Sequence, residues 1–333
     1  MEVLDLASKV KAEIVDSSLL ARPQSLLVRL GASLNKAFGL GLLAFQRRRE
    51  FDLIYVGNEK LGLVVATLFK FVKRRPRIAI LNHYLSSPKK ATLFSRLQLH
   101  TSIDALICLN EYQASFLQRE LAVPPRKVFR IHYGAAVDGD FFLPQLKEGE
   151  RQNYVLSVGR ENRDYETLFE ALRTSEVRAK IVSSGLGAPG DYKNHMPAGQ
   201  PIENVEMLEH VSYAALRNLY DGCCFVVIPL HNVDYPAGIT AVMEAMAMGK
   251  AVIATYSRGI EEFIDDAVTG FWTEPANPIQ LRDKILLLWN NPKLAIQMGQ
   301  RARESVKSRV DMTRYVEELQ SILTTCKQMR HST

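Results

Sequence analysis

Short apolar runs rich in β-branched residues alternate along this chain with longer segments of 3.6-residue period. The runs at 53–56, 78–81, 105–109, 128–132, 154–158, 179–183, 224–228 and 251–255 are mostly apolar. Mostly apolar runs of that length are the pattern of parallel strands buried on both faces. Between them, 61–72, 111–121, 165–172, 213–220, 242–248, 278–289 and 292–308 carry apolar residues at helical spacing, and a last helix is expected over 312–326. Strand and helix in alternation predict βαβ units with right-handed crossovers. The pattern breaks near 144–153, in the polar stretch LPQLKEGERQN. The expectation is therefore an N-terminal domain over 1–146, a C-terminal domain over 147–310, and a terminal helix over 311–333 that packs back on the first domain. The fold class is α/β, with two Rossmann-like parallel-sheet domains facing across a cleft that collects the carboxyl ends of their strands.

Composition agrees with this picture and narrows the partners. Apolar residues make up 47% and charged residues 23% of 333 residues, ordinary globular usage that excludes disorder and collagen. The net charge of +6 is unevenly placed. The first 150 residues hold 22 Lys and Arg against 14 Asp and Glu, and the remainder hold 20 against 22. A basic half beside a near-neutral half points to phosphate ligands, nucleic acid or an anionic membrane surface. Cys108, Cys223, Cys224 and Cys326 form no CxxC pair, so neither a disulfide frame nor a zinc site is expected and a cytoplasmic setting follows. The N-terminal MEVLDLASKVKAE places acids where a signal peptide carries base. No apolar run reaches the ~18 residues of a membrane span. The stretch 25–49 reads as one apolar helix ending in Arg47, Arg48 and Arg49. Such a helix either faces a core with its basic end solvated or lies on an anionic membrane surface, associated from the inner side. No nucleic-acid recognition module is present.

Two stretches carry candidate chemistry. In IPLHNVDYPAGITAVMEAMAMGKAVIAT, 228–255, a strand gives way to a loop with Pro236 and Gly238, and a helix then begins near Ile239 and Thr240. The unpaired amides of a helix's first turn, with its dipole, suit a phosphate. Gly238 lets a ligand approach the backbone closely. Glu244 follows Thr240 by four residues and shares its helix face, where a carboxylate can accept two ribose hydroxyls. An ordinary buried helix stopped by Gly249 explains the same spacing. In VLSVGRENRDYETLFEAL, 155–172, Gly159 ends a strand and Arg160 and Arg163 precede a helix. Guanidinium groups at a strand's carboxyl end suit a diphosphate, although Arg163 could equally pair with Asp164 or Glu166 at the surface.

Here the sequence resembles a known family. EAMAMGKAVIAT, RGIEEFIDDAVTGFWTEPANP, a Leu-rich helix and NNPKLAIQMGQRARESV follow one another as in the C-terminal domain of family-4 retaining glycosyltransferases, which have the GT-B fold. VGR at 158–160 is similar to the start of that domain, and FRIHYGAAVDGDFFLP at 129–144 to the segment before its linker. The resemblance covers 50–310 and is densest over 154–305. It implies retaining transfer of a hexose from a UDP-, GDP- or ADP-sugar to a hydroxyl acceptor, with no metal and no other cofactor. It implies diphosphate binding by Arg160 and by Arg163, which stands where the family has a Lys. It implies that Glu244, as the second Glu of an E-x7-E motif, holds the ribose, and that the amides of Gly238, Ile239 and Thr240 meet phosphate and sugar. The backbone near Leu208 and Val211 would meet the base, and His83, at the end of IAILNH, would act near the donor sugar.

The departures matter as much. Pro236 occupies the place of the first Glu of the motif, and the nearest acid is Asp234. The family's Gly-Gly loop is not visible, so the first domain is shortened. AEIVDSS at 12–18 is then its candidate first strand, and Gly57 and Asn58 are candidate substitute contacts. These departures keep two other readings open: a nucleotide-sugar-binding partner subunit without turnover, and a GT-B sugar-nucleotide epimerase. The diphosphate residues lie in the near-neutral half, so the basic half points to an anionic or lipid-linked acceptor or an anionic membrane, and not to nucleic acid. Asp138-Gly139-Asp140 is a DxD, a common chance pattern. His132, His195, His210 and His231 have no ligand spacing, and Gly185-Leu186-Gly187 is a weak turn signal.

Overall fold

The computed structural model describes residues 2–21, 25–131, 137–146, 152–183, 202–307 and 311–329. His132, Gly185, Leu186, Gly187 and His195 lie outside them, as does part of the expected linker. Packing divides the chain into one unit of Met1–His132 with Thr313–Thr333 and a second of Tyr133–Met312.

The first unit opens with α1 (Glu2–Val10), α2 (Leu26–Leu34) and α3 (Lys36–Gln46). It continues with β1 (Leu53–Val56), α4 (Glu59–Phe69), β2 (Arg77–Asn82), α5 (Pro88–Arg96), β3 (Ala105–Cys108), α6 (Glu111–Arg119) and β4 (Val128–Arg130). The four strands are parallel in the order β1-β2-β3-β4. Ile78, Ile80 and Leu106 pack with Val65, Ala66 and Phe69 of α4 in its core. The stretch 25–49 is two helices, not one. Asn35 is extended, its N–H donates to Gly31 O to close α2, and its side chain accepts from the Ala37 N–H to open α3. A mid-run Asn that caps both ways is a break that hydrophobic periodicity alone conceals. The segment 12–18 forms no strand: an irregular stretch runs into a short 3₁₀ turn, Ser17–Ala21, where Asp16 accepts from the Ser18 N–H.

The second unit contains β5 (Val155–Val158), α7 (Tyr165–Arg173), β6 (Ala179–Val182), β7 (Val205–Leu208), α8 (Tyr213–Gly222) and β8 (Val226–Ile228). There follow α9 (Ile239–Ala247), β9 (Val252–Thr255), β10 (Gly270–Thr273), α10 (Pro278–Asn290) and α11 (Pro292–Val306). Its sheet is parallel, in the order β10-β9-β8-β5-β6-β7. Alternate residues serve opposite faces. Leu156, Val226 and Ile228 pack with α8 and α9, while Val155, Val227 and Ile253 pack with α7 and α10. The edge strands β7 and β10 carried no clear signal, because both are short and only β10 is mostly buried. This unit begins before the expected 147: Val137 and Phe142 are buried in its core, and the N–H groups of Gln145 and Leu146 donate to the Asp221 carboxylate. From Thr313 onward α12 (Met312–Gln328) belongs to the first unit, with Lys327 paired to Asp52 at 2.7 Å.

Candidate functional site

The order of the second sheet locates its site. The chain starts at the central β5, runs outward through β6 and β7, and returns to β8 on β5's other side. The loops after β5 and β8 therefore diverge from adjacent strands at a topological switch point, where parallel sheets hold ligands beyond their carboxyl ends. Those loops contain Arg160, Arg163 and Gly238. They are also tied together: the Asp164 N–H donates to Pro229 O at 3.1 Å and the His231 N–H to Asn162 O at 3.0 Å.

Gly159, after β5, has φ +115, and the Arg163 side chain folds back directly over it. Any β-carbon at Gly159 would collide with that guanidinium. Nε and Nη2 of Arg163 donate to Val158 O at 3.0 and 2.8 Å, and Nη1 donates to Glu161 O at 2.8 Å. Arg163 is buried, and its partners among the described residues are carbonyl oxygens, not carboxylates. It makes neither of the surface pairings that Asp164 and Glu166 offered. The Asp164 side chain instead caps α7 by accepting from the Thr167 N–H. Burial pulls the Arg163 guanidinium below its usual range, as expected for a desolvated cation whose hydrogen-bond partners among the described residues are neutral carbonyls. Arg160 is half-exposed, with no ion pair among the described residues.

Gly238 brings a helix end to this cation. It is the N-cap of α9 with φ +84, and among the described residues no side chain caps that helix. A methyl group at Gly238 would lie 3.4 Å from Arg163 Nη1 and 3.1 Å from Ile228 Cγ2. The guanidinium thus abuts an uncapped helix N-terminus, and both favour an anion. Ile239 is buried and Thr240 half-exposed at this end. One turn on, Glu244 is buried, and its Oε2 accepts from Tyr220 Oη at 2.9 Å. Burial pushes the Glu244 carboxyl up to about 7, against the Tyr220 hydrogen bond and the Arg163 charge, which pull it down. Leu208 ends β7, and with Val211 it packs half-buried against the same core. Asp234 is half-buried in the loop after β8, and Pro236 is buried. Asp138 Oδ1 accepts from the N–H groups of Asp140 and Phe141, so the DxD forms a local turn.

Tyr220 is the residue that pattern reading missed. It occupies an apolar position of α8, and nothing in its spacing announces a partner on α9. Tyr220→Phe should cost about 1–3 kcal/mol, since it strips the donor from a buried carboxyl oxygen. Urea unfolding of the variant beside the parent checks this.

In the first unit His83 is half-exposed after β2. Its Nε2 contacts Gly57 O at 3.2 Å, its N–H donates to Glu59, and its carbonyl accepts from Gln113 Nε2. Lys90 pairs with Glu59 at 2.6 Å. Burial alone would raise the Glu59 carboxyl, but the Lys90 hydrogen bond and backbone N–H groups outweigh it and hold it below its usual value. Gly57 is exposed, and Asn58 spends its side chain capping α4, accepting from the Leu61 N–H.

Comparison with known proteins bears on these residues. The family model described as glycosyl transferases group 1 matches residues 139–305, half of the chain. An uncharacterised glycosyltransferase of Methanocaldococcus jannaschii is 28% identical over 62% of this chain and 56% of its own length. The N,N'-diacetylbacillosaminyl-diphospho-undecaprenol alpha-1,3-N-acetylgalactosaminyltransferase of Campylobacter jejuni is 31% identical over 60% of this chain and 54% of its own. The chain thus spans about half the length of these curated relatives. Among solved structures, Anabaena HepE in complex with UDP and glucose matches with a TM-score of 0.73 at 20% identity, over 97% of this chain and 95% of that one. Sucrose-phosphate synthase from Thermosynechococcus elongatus matches with a TM-score of 0.71 at 17% identity, over 91% and 80%. These likenesses show the fold, two parallel α/β units of the GT-B type. The matched region contains the Arg163 loop, Gly238 and Glu244, and the chain belongs to the group 1 glycosyl transferases.

Proposed function

We propose that this chain transfers a hexose, with retention and without a metal, from a nucleoside-diphosphate sugar to a hydroxyl acceptor. One observation carries the reading: a buried guanidinium held, among the described residues, by carbonyls, set against the N-terminus of α9, where Gly238 offers no capping side chain. A diphosphate supplies a counter-charge. In the transfer the bond from the anomeric carbon to the diphosphate oxygen breaks, and the electron pair stays on the diphosphate. The acceptor oxygen bonds the same face of that carbon, and its proton passes to the departing phosphate oxygen. Arg163, Arg160 and the amides of Gly238, Ile239 and Thr240 stabilise the charge that develops there. They are fixed beforehand, so little reorganisation is needed. Tyr220 engages Glu244 Oε2, which leaves Oε1 for ribose hydroxyls. The base meets the backbone near Leu208 and Val211. The basic first unit favours an anionic or lipid-linked acceptor.

Pro236, in place of the motif's first Glu, favours a second reading, a donor-binding subunit without turnover. A panel of UDP-, GDP- and ADP-sugars separates the readings, beginning with UDP-glucose because HepE was solved with it. A bound donor raises the apparent melting temperature by mass action. Transfer of its sugar to an acceptor supports the proposal. Binding without transfer or release of sugar replaces it with the binding subunit, and donor isomerised without acceptor replaces it with an epimerase. His83→Ala should lower kcat roughly tenfold while nucleotide affinity changes less than about twofold. Calorimetric titration beside transfer kinetics reads both.

A further inference from the structure

The first unit carries an apolar surface that donor chemistry does not use. Helix α2 buries Val28 and Gly31 against α3, yet Leu26, Leu27, Leu30 and Leu34 are 71, 55, 57 and 80% exposed. At 100° per residue these four leucines fall within a stripe about 100° wide, beside the buried positions of Val28 and Gly31. Phe71, 88% exposed, follows α4. Leu68, one turn earlier, packs into the same cluster as Val28. Cations lie on and just beyond the same helices. Arg29, Lys36, Arg49, Lys73 and Arg74 are exposed, and none pairs with a carboxylate among the described residues. Arg47, in contrast, is neutralised by Glu13 and Glu50, and Arg48 donates to Phe45 O. The basic character of 25–49 therefore rests on flanking residues and not on the three-arginine run.

We infer that the outer face of α2, with Phe71, lies in the interface of an anionic lipid bilayer. Leucines on one face with exposed cations on the same and adjoining helices fit that boundary: side chains enter the acyl region while Lys and Arg meet lipid phosphates. A second copy of this chain fits poorly, because a self-contact through the stripe would set the same cations against each other. No described helix is long and apolar enough to cross a membrane, so the contact is peripheral. The inference is independent of the donor reading, since it needs no nucleotide.

Flotation of the full chain with vesicles tests it. The chain should float with phosphatidylcholine vesicles containing about a quarter phosphatidylglycerol and bind pure phosphatidylcholine about tenfold more weakly. The triple variant Leu26→Ser, Leu30→Ser, Leu34→Ser changes only exposed side chains, so its circular dichroism should match the parent's while its vesicle affinity falls at least about tenfold. Arg29→Glu with Lys36→Glu should weaken binding at low salt and lose that effect near molar salt. A parent chain that fails to float with anionic vesicles overturns the inference. So does a folded triple variant that binds as the parent does. A parent dimer in light scattering that the leucine changes dissolve, without vesicle binding, assigns the face to a second copy instead.

Discussion

Arg163→Ala should weaken nucleoside-diphosphate binding about a hundredfold. A hydrogen bond to a charged group contributes about 1.5–3 kcal/mol, and each 1.4 kcal/mol is a factor of about ten. The guanidinium is already desolvated and locked by Val158 O and Glu161 O, so a bound phosphate gains a charge that needs no further ordering. The fold should lose only about 1–2 kcal/mol, because the charge leaves with the side chain and water can reach the freed carbonyls. Arg163→Lys restores the charge but not the fork that clasps Val158 O, and should recover about half the lost binding energy. Arg160→Ala should cost about fivefold in affinity and leave stability unchanged, since that side chain is half-exposed and makes no ion pair among the described residues. Calorimetric titration with UDP, GDP and ADP, alongside urea unfolding, reads all three. An Arg163→Ala protein that binds nucleotide like the parent would falsify the placement of the site.

Glu244→Gln should separate stability from function. The folded chain holds this carboxyl protonated until about pH 7, whereas an ordinary Glu ionises near 4.5. Between those values the unfolded chain binds fewer protons than the folded one. The parent therefore loses stability as pH rises through that window, by on the order of 3 kcal/mol once above it. Glutamine keeps an acceptor for Tyr220 and carries no charge. The variant should therefore be more stable than the parent above pH 7, and the gain should vanish below about 4.5. Its nucleotide affinity should fall about tenfold, because ribose hydroxyls bond a carboxylate more strongly than an amide oxygen. Parent affinity should rise with pH through about 7, as the carboxylate forms. Urea unfolding across pH 4 to 9, with titrations at the same points, supplies both curves. A pH-independent difference in stability would show that Glu244 is not held neutral.

Much of the second unit was legible because its signals are local. The run 155–158 is fully buried in β5, and α9 begins at Ile239 and stops before Gly249, as the loop glycine, the helical spacing and the second glycine indicate. Where the chain misled, a tertiary partner or a single polar residue was responsible. One Asn divided an apolar helix into α2 and α3. The segment 12–18 had strand-like residues but found no neighbouring strand, and without a ladder such residues have no reason to extend. Val137 and Phe142 lay before the polar linker yet belong to the second core, which their own spacing could not reveal.

The sequence by itself determined the βαβ alternation, the family, and the residue types available for a diphosphate: two arginines, a glycine at a helix start, and a glutamate one turn on. These depend on periodicity and backbone preference within a few neighbouring positions. Only the tertiary structure decided which of them carry strain or charge. Sheet order set the β5 and β8 loops side by side. Burial turned Arg163 from a surface ion-pair candidate into a cation whose hydrogen bonds among the described residues go to carbonyls. Tyr220, from another helix, gave Glu244 a hydrogen-bond donor in a place where burial raises its pKa. Desolvation and pairing depend on what the fold brings within a few ångströms, and linear spacing holds no record of that.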